Sequence, residues 1–182
     1  MVKIILKKAI FLDRDGVINK DYGYVNKIKD FELYPNVIKA LKLLQKKYSL
    51  FIVTNQSGIG RGYYTLKDFK NLNNHMLTLF KKNGINIIEV YYCIHSPEEK
   101  CKCRKPSTHF IKQAKDKYSL DIKNSYVIGD KPEDIEMGHN IGTKTVLVLT
   151  GQGKKYLNKL NIQPDYIAKN LYDAAVWINI KF

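Results

Sequence analysis

Six short apolar runs alternate with helix-like segments along the chain, and that alternation leaves few folds open. Strands are expected at Ala9–Leu12, 50–53, 90–93, 126–128, 146–149 and, as a short sixth, Tyr166–Ala168. Between the first two, Pro35 and Asn36 open a helix with Val37, Leu41 and Leu44 on one face. Thr65 to Asp68 has the form of a capping box, and Phe69, Leu72, Met76 and Phe80 follow at helical intervals until Asn83-Gly84. Ser107 is placed to cap a helix that carries Phe110, Ile111, Ala114 and Tyr118. Pro132 starts another, ending near Asn140 before Gly142, and 171–178 forms a last one with Trp177 in the core. The pattern predicts an α/β fold, a parallel sheet flanked by helices, in one domain spanning 1–182. At 182 residues such a chain buries a full core, and 45% hydrophobic residues excludes a disordered one.

Rossmann-like sheets bind ligands beyond the carboxyl ends of their strands. Asp13 and Asp15 follow the first strand, with Gly16 breaking it at once; Thr54-Asn55-Gln56 follows the second and Gly129-Asp130 the fourth. Polar clusters at equivalent ends of neighbouring strands converge in space. Taken alone, the aspartate pair could be a solvated acidic turn. Like charges that close repel, however, and burying them unpaired is costly, so a divalent cation is the natural companion.

Phosphoryl transfer asks for a nucleophile, charge neutralisation and a proton for the leaving group. Asp13 fits as attacking carboxylate, and Asp15 as the group that protonates the leaving oxygen and later activates water. Thr54 offers a hydroxyl, Lys105 a positive charge, and the Ser57-Gly58-Ile59-Gly60 turn backbone donors. Asp13 and Asp130 suit magnesium, which prefers a few carboxylate oxygens. An ordinary aspartate titrates near about 3.9, so acid duty predicts surroundings that raise Asp15.

All three cysteines lie between Cys93 and Cys103, with His95 among them. The set Cys93, His95, Cys101 and Cys103 can close a tetrahedral zinc site of structural composition. Free buried thiols beside a surface histidine are the alternative. Zinc here would organise the loop 93–106 and aim Arg104 and Lys105 at the strand ends. His75, His109 and His139 lack such companions and are expected at the surface or at helix ends.

The net charge of +14 is carried by lysine, since only Arg14, Arg61 and Arg104 among 31 basic residues are arginine. The lysines are spread rather than gathered in a stripe, which argues against a nucleic-acid partner and suits attraction of a phosphorylated small molecule. No apolar run approaches a membrane span, and Met1 to Lys8 shows a short apolar patch without a cleavable signal. No membrane partner, a cytoplasmic location and a monomer are the expectations.

Asp13-Arg14-Asp15-Gly16, Thr54, Lys105 and Gly129-Asp130 with Asp134 resemble, in order, the four motifs of the haloacid dehalogenase superfamily of phosphatases. The resemblance implies a capless haloacid dehalogenase fold with a zinc-binding loop and an open cleft, because residues 16–35 are too few for a cap domain. It implies Mg2+ held by Asp13, the backbone carbonyl of Asp15 and Asp130, with Asp134 in support. Gly16-Val17 departs from the Gly-Thr common in that family and loses one hydroxyl.

Two branches of the superfamily carry a Cys-x-His…Cys-x-Cys-Arg-Lys-Pro loop. One removes the 7-phosphate of D-glycero-D-manno-heptose 1,7-bisphosphate, in heptose biosynthesis for lipopolysaccharide or capsule; the other hydrolyses histidinol phosphate. Tyr22-Gly23-Tyr24-Val25, the run from Thr54 to Gly62 and Gly129-Asp130-Lys131-Pro132 resemble the first. Its sugar bisphosphate would then meet Asp21, Tyr22, Gly23, Tyr24, Asn55, Gln56, Ser57, Arg104 and Lys131, with Arg104 on the distal phosphate. A DNA 3′-phosphatase and a non-enzymatic zinc-binding interaction module are the remaining alternatives.

Overall fold

Strand β1 (Ala9–Leu12) is buried along its whole length, as befits the middle of a parallel sheet covered by helices on both sides. The computed structural model describes residues 6–181, so the first five residues of the N-terminal patch lie outside the described residues. The other strands are β2 (Ser49–Asn55), β3 (Ile87–Cys93), β4 (Tyr126–Gly129), β5 (Lys144–Val148) and β6 (Tyr166–Ala168). They form one sheet in the order β3-β2-β1-β4-β5-β6, with each neighbouring pair parallel. The helices are α1 (Val37–Leu44), α2 (Ser57–Gly60), α3 (Leu66–Lys82), α4 (His109–Tyr118), α5 (Pro132–Ile141), α6 (Gly153–Tyr156) and α7 (Leu171–Lys181).

Side chains alternate across the strands, so the central strands feed two cores. Ile10 and Leu12 join Leu50, Ile52, Ile128 and Val146 on one face, under α1, α7 and the Met76–Phe80 side of α3. Ala9 and Phe11 join Phe51, Val53, Tyr91 and Val127 on the other, under Ile111 and Ala114 of α4 and Met137 of α5. The Phe11 and Phe51 rings stack at 5.3 Å between neighbouring strands. Trp177 is half-buried, stacked on Tyr166 at 4.4 Å, and packs against the first core rather than inside it.

The Thr65 capping box forms as expected. The Thr65 hydroxyl accepts from the Asp68 N–H while the Asp68 carboxylate accepts from the Thr65 N–H at 2.9 Å. Helix α4 differs: it begins at His109 with Thr108 in the cap position, and the Ser107 hydroxyl accepts the His109 N–H at 3.3 Å. Strand β5 ends at Val148, one residue short of expectation, because the chain turns at Leu149, whose N–H still reaches the Ala168 carbonyl at 2.8 Å. Helices α2 and α6 and a 3-10 turn at Ile28–Asp30 have no counterpart in the sequence pattern, being too short to show periodicity. Among the described residues no helix is long and apolar enough to cross a membrane.

The chain steps from β1 outward to β2 and β3, then returns to place β4 on the other side of β1. At such a reversal the loops leaving two adjacent strands part and leave a crevice at their carboxyl ends. Asp13 follows β1 there and Asp130 follows β4.

Candidate active site

A cleft opens over that crevice. Asp13, Asp15, Asp21, Gly23, Tyr24, Thr54, Asn55, Gln56, Ser57, Arg104, Lys105 and Lys131, all expected at the site, line it, and Tyr64 and Glu133 join them.

At its floor Lys105 is buried between two carboxylates, its Nζ 2.9 Å from Asp13 Oδ1 and 2.6 Å from Asp134 Oδ1. A third bond to the Val53 carbonyl at 3.0 Å uses the remaining ammonium proton. Burial works against this charge, but Asp13 and Asp134 outweigh it and hold Lys105 above its ordinary range. Asp134 has both oxygens engaged, since Oδ2 accepts the Lys131 N–H at 3.2 Å; burial lifts its carboxyl to about 6 despite Lys105. Asp13 Oδ1 also accepts the Arg14 N–H at 2.8 Å.

Asp130 is fully buried, and its Oδ2 accepts the Gln152 N–H at 2.7 Å while Oδ1 has no partner. Burial and then the neighbouring Asp13 push its carboxyl up to about 8. Ligand atoms of Asp13, Asp130 and Asp134 lie within 4.8 Å of one another. An orphaned buried carboxylate oxygen in an all-oxygen cluster of excess negative charge is what a hard divalent cation fits. With both Asp134 oxygens taken, Asp13 and Asp130 are the side chains left for it. The slot is walled by glycine: Gly16 (φ +96°) and Gly151 (φ +55°) would each place a Cβ 2.2 Å from Asp130 Oδ2.

Asp15 lies in different company. The Arg14 guanidinium, 1% exposed, folds back onto it with Nη2 at 2.8 Å and Nε at 3.1 Å from Oδ2. Asn19 and Gln56 add donors at 2.9 and 3.0 Å. Burial would raise this carboxyl, but Arg14 and the two amides hold it below its ordinary value. The sequence-based expectation of a raised Asp15 is therefore corrected, because a cation one residue away outweighs desolvation. Arg14 also donates to the Val25 carbonyl at 2.9 Å and sits 5.6 Å from the Phe69 ring centroid.

Two amides expected to meet substrate turn inward. Asn55 Oδ1 accepts the Lys105 N–H at 3.1 Å and so holds the backbone of the 93–106 loop to the end of β2. Gln56 Nε2 donates to Thr54 Oγ1 at 2.8 Å, and its Oε1 accepts from the Tyr64 hydroxyl at 2.6 Å. Ser57 opens α2 at the cleft edge. Arg61 pairs with Glu98 at 2.8 Å on the surface.

On the opposite wall Asp21 accepts the Gly23 N–H at 2.9 Å and faces Lys131 Nζ at 3.5 Å. Burial opposes the Lys131 charge, yet Asp13, Asp130 and Asp21 keep it above its ordinary range. Tyr22 is corrected: it does not line the cleft. The turn through Gly23 (φ +81°) and Tyr24 (φ +52°) sends it outward, 63% exposed, to donate to Glu32 at 2.8 Å.

The four soft ligands gather as expected. Cys103 Sγ lies 3.1 Å from Cys93 Sγ, 3.8 Å from Cys101 Sγ and 3.4 Å from His95 Nδ1; Cys93 Sγ is 3.6 Å from both Cys101 Sγ and His95 Nδ1. Tetrahedral zinc at about 2.3 Å from sulfur separates thiolates by about 3.8 Å, so the set fits that ion. Arg104, just beyond it, reaches the His95 carbonyl at 3.5 Å and projects into the cleft.

Asn19, Tyr64 and the Thr150-Gly151-Gln152 turn escaped sequence reasoning. Thr150 Oγ1 donates to the Gly16 carbonyl at 2.6 Å, and the Tyr34 hydroxyl accepts the Gly151 N–H at 3.0 Å. The turn was discoverable, since it leaves the carboxyl end of β5 with a glycine on each side of Gln152.

Fold and site together define a hydrolase of the haloacid dehalogenase type, and the family model described as HAD-hyrolase-like matches residues 102–174. The D-glycero-beta-D-manno-heptose-1,7-bisphosphate 7-phosphatase of Helicobacter pylori J99 is 43% identical over 178 residues, 96% of this chain and 99% of its own. The corresponding alpha enzyme of Campylobacter jejuni is 48% identical over 149 residues, covering 81% and 85%. The chain belongs to this family of heptose-bisphosphate phosphatases. A crystal structure of D,D-heptose 1.7-bisphosphate phosphatase from B. bronchiseptica, complexed with magnesium and phosphate, superposes with a TM-score of 0.90 at 26% identity, covering 96% of this chain and 99% of that one.

Proposed function

We propose that this protein removes the 7-phosphate of D-glycero-D-manno-heptose 1,7-bisphosphate by way of an aspartyl-phosphate. One observation carries most of the weight in a chain of this family: the Asp13–Lys105–Asp130 floor lies beneath a cleft whose walls carry Arg104 and Lys131.

Magnesium on Asp13, Asp130 and the Asp15 backbone carbonyl would screen the repulsion between the phosphate dianion and an attacking carboxylate. Lys105 fixes one oxygen of Asp13 and keeps positive charge beside the phosphorus. The Asp13 carboxylate attacks in line, the phosphorus–oxygen bond to C7 breaks, and the departing alkoxide takes a proton from Asp15. Asp15 carries that proton only when substrate charge has drawn Arg14 from it or offset its field, because in the structure Arg14 favours the ionised form. The ionised Asp15 then removes a proton from water, which attacks the aspartyl-phosphate and releases phosphate with Asp13 restored. Thr54 and the N–H groups at the start of α2 donate to the phosphoryl oxygens. Arg104 grips the distal 1-phosphate with its fork, and zinc on Cys93, His95, Cys101 and Cys103 keeps that arginine aimed.

Phosphorus NMR of the reaction tests the assignment. The 7-phosphate resonance is expected to vanish in favour of free phosphate while the 1-phosphate persists. Loss of the 1-phosphate, or no turnover with magnesium, contradicts it.

A further inference from the structure

The Gln56 side chain is 3% exposed and all of its hydrogen-bonding groups point inward. Its orientation is forced chemically. Arg14 only donates, so the atom 3.4 Å from its Nη2 must be the carbonyl oxygen. The amide nitrogen is then the atom 3.0 Å from Asp15 Oδ2, to which it donates. Two consequences follow for groups that could act either way. Thr54 Oγ1, 2.8 Å from that nitrogen, must accept, which leaves its own proton free for an oxygen in the cleft. The Tyr64 hydroxyl, 2.6 Å from the carbonyl, must donate.

The Arg14 contact is long, so the short phenol bond is the stronger hold on the amide carbonyl. Tyr64 is itself 7% exposed and packed over Gly58, where any Cβ would come within 2.2 Å of its ring. Burial pushes its phenol up to about 12, so it keeps the proton it donates at neutral pH.

We infer that Tyr64 is a positioning residue which, through Gln56, orients both the Asp15 carboxylate and the Thr54 hydroxyl for phosphoryl transfer. This rests on the roles proposed above for Asp15 and Thr54. Without the phenol the amide carbonyl keeps only the long Arg14 contact, and the amide tilts away from the geometry in which it holds Asp15 and Thr54.

The test is a cycle of Tyr64→Phe and Gln56→Met, assayed on whichever ester the wild type turns over fastest among heptose bisphosphate, histidinol phosphate and p-nitrophenyl phosphate. A wrong substrate assignment therefore leaves it standing. Orthovanadate affinity, measured by calorimetry at saturating magnesium, reports binding of a pentacoordinate phosphorus mimic without turnover. Tyr64→Phe is expected to lower kcat and vanadate affinity together by about tenfold, with KM within about twofold. In the Gln56→Met background the same change should add less than about twofold. Unchanged kcat and vanadate affinity overturn the inference. So does a rise in KM alone, which would make Tyr64 a substrate contact, and so do effects that multiply across the cycle.

Discussion

Asp13 and Asp15 are two residues apart, yet opposite cations claim them. Lys105 holds Asp13 at the floor, and Arg14 draws Asp15 to the wall with Asn19 and Gln56. One carboxylate is thus set beside Asp130 at the floor and the other is held apart from it, as the proposed division between nucleophile and proton donor requires. Asp13→Asn is expected to lower kcat by at least about ten-thousandfold with an unchanged circular dichroism spectrum; appreciable residual turnover in a rapid-quench assay removes Asp13 as nucleophile. Asp130→Asn removes the carboxylate charge behind the orphaned oxygen and should weaken magnesium binding by at least about tenfold, read by titration calorimetry. The residue types at these positions were legible because strand ends and carboxylate spacing are local facts. How Asp15 titrates was not: burial raises it, and the Arg14 guanidinium, turned back onto it only in the fold, outweighs that burial with help from Asn19 and Gln56. Tyr22 was misplaced for a related reason, since two successive left-handed residues after it decide which way it faces.

At the scale of elements, legibility followed burial. Strands β1 and β4, covered on both faces, read as unbroken apolar runs at the right positions. β3 was cut short, because its first residues Ile87 to Glu89 alternate in exposure at the sheet edge. The helix α3 announced its start through Thr65 and Asp68, whose reciprocal bonds are local. Thr65→Ala is expected to cost about 1 kcal/mol in urea unfolding; no change in the midpoint would mean that tertiary packing alone holds that end. The loop after β3 has no regular structure, and the proposed zinc on its Cys and His side chains is what would hold it. Cys101→Ser should lose the equivalent of zinc found by metal analysis and lower Tm, and wild-type protein prepared with care but free of zinc contradicts the assignment.

At the scale of the whole molecule, the reversal between β1 and β4 brings a buried anionic cluster to the bottom of a cleft whose walls carry Arg104 and Lys131. A chain of net charge +14 attracts phosphorylated substrates generally, and selection among them falls to the wall. Arg104→Ala should therefore raise KM at least about tenfold for a sugar bisphosphate and far less for the matching monophosphate. Equal effects on both would remove Arg104 from the distal phosphate.

The family relatives carry names with either heptose anomer, so both belong in the decisive comparison. That measurement is kcat/KM, with magnesium, for the two anomers of D-glycero-D-manno-heptose 1,7-bisphosphate beside histidinol phosphate and a 3′-phosphorylated oligonucleotide. One heptose anomer is expected to lead both other substrates by at least about a hundredfold. Parity with, or preference for, either of the others contradicts a heptose-bisphosphate phosphatase.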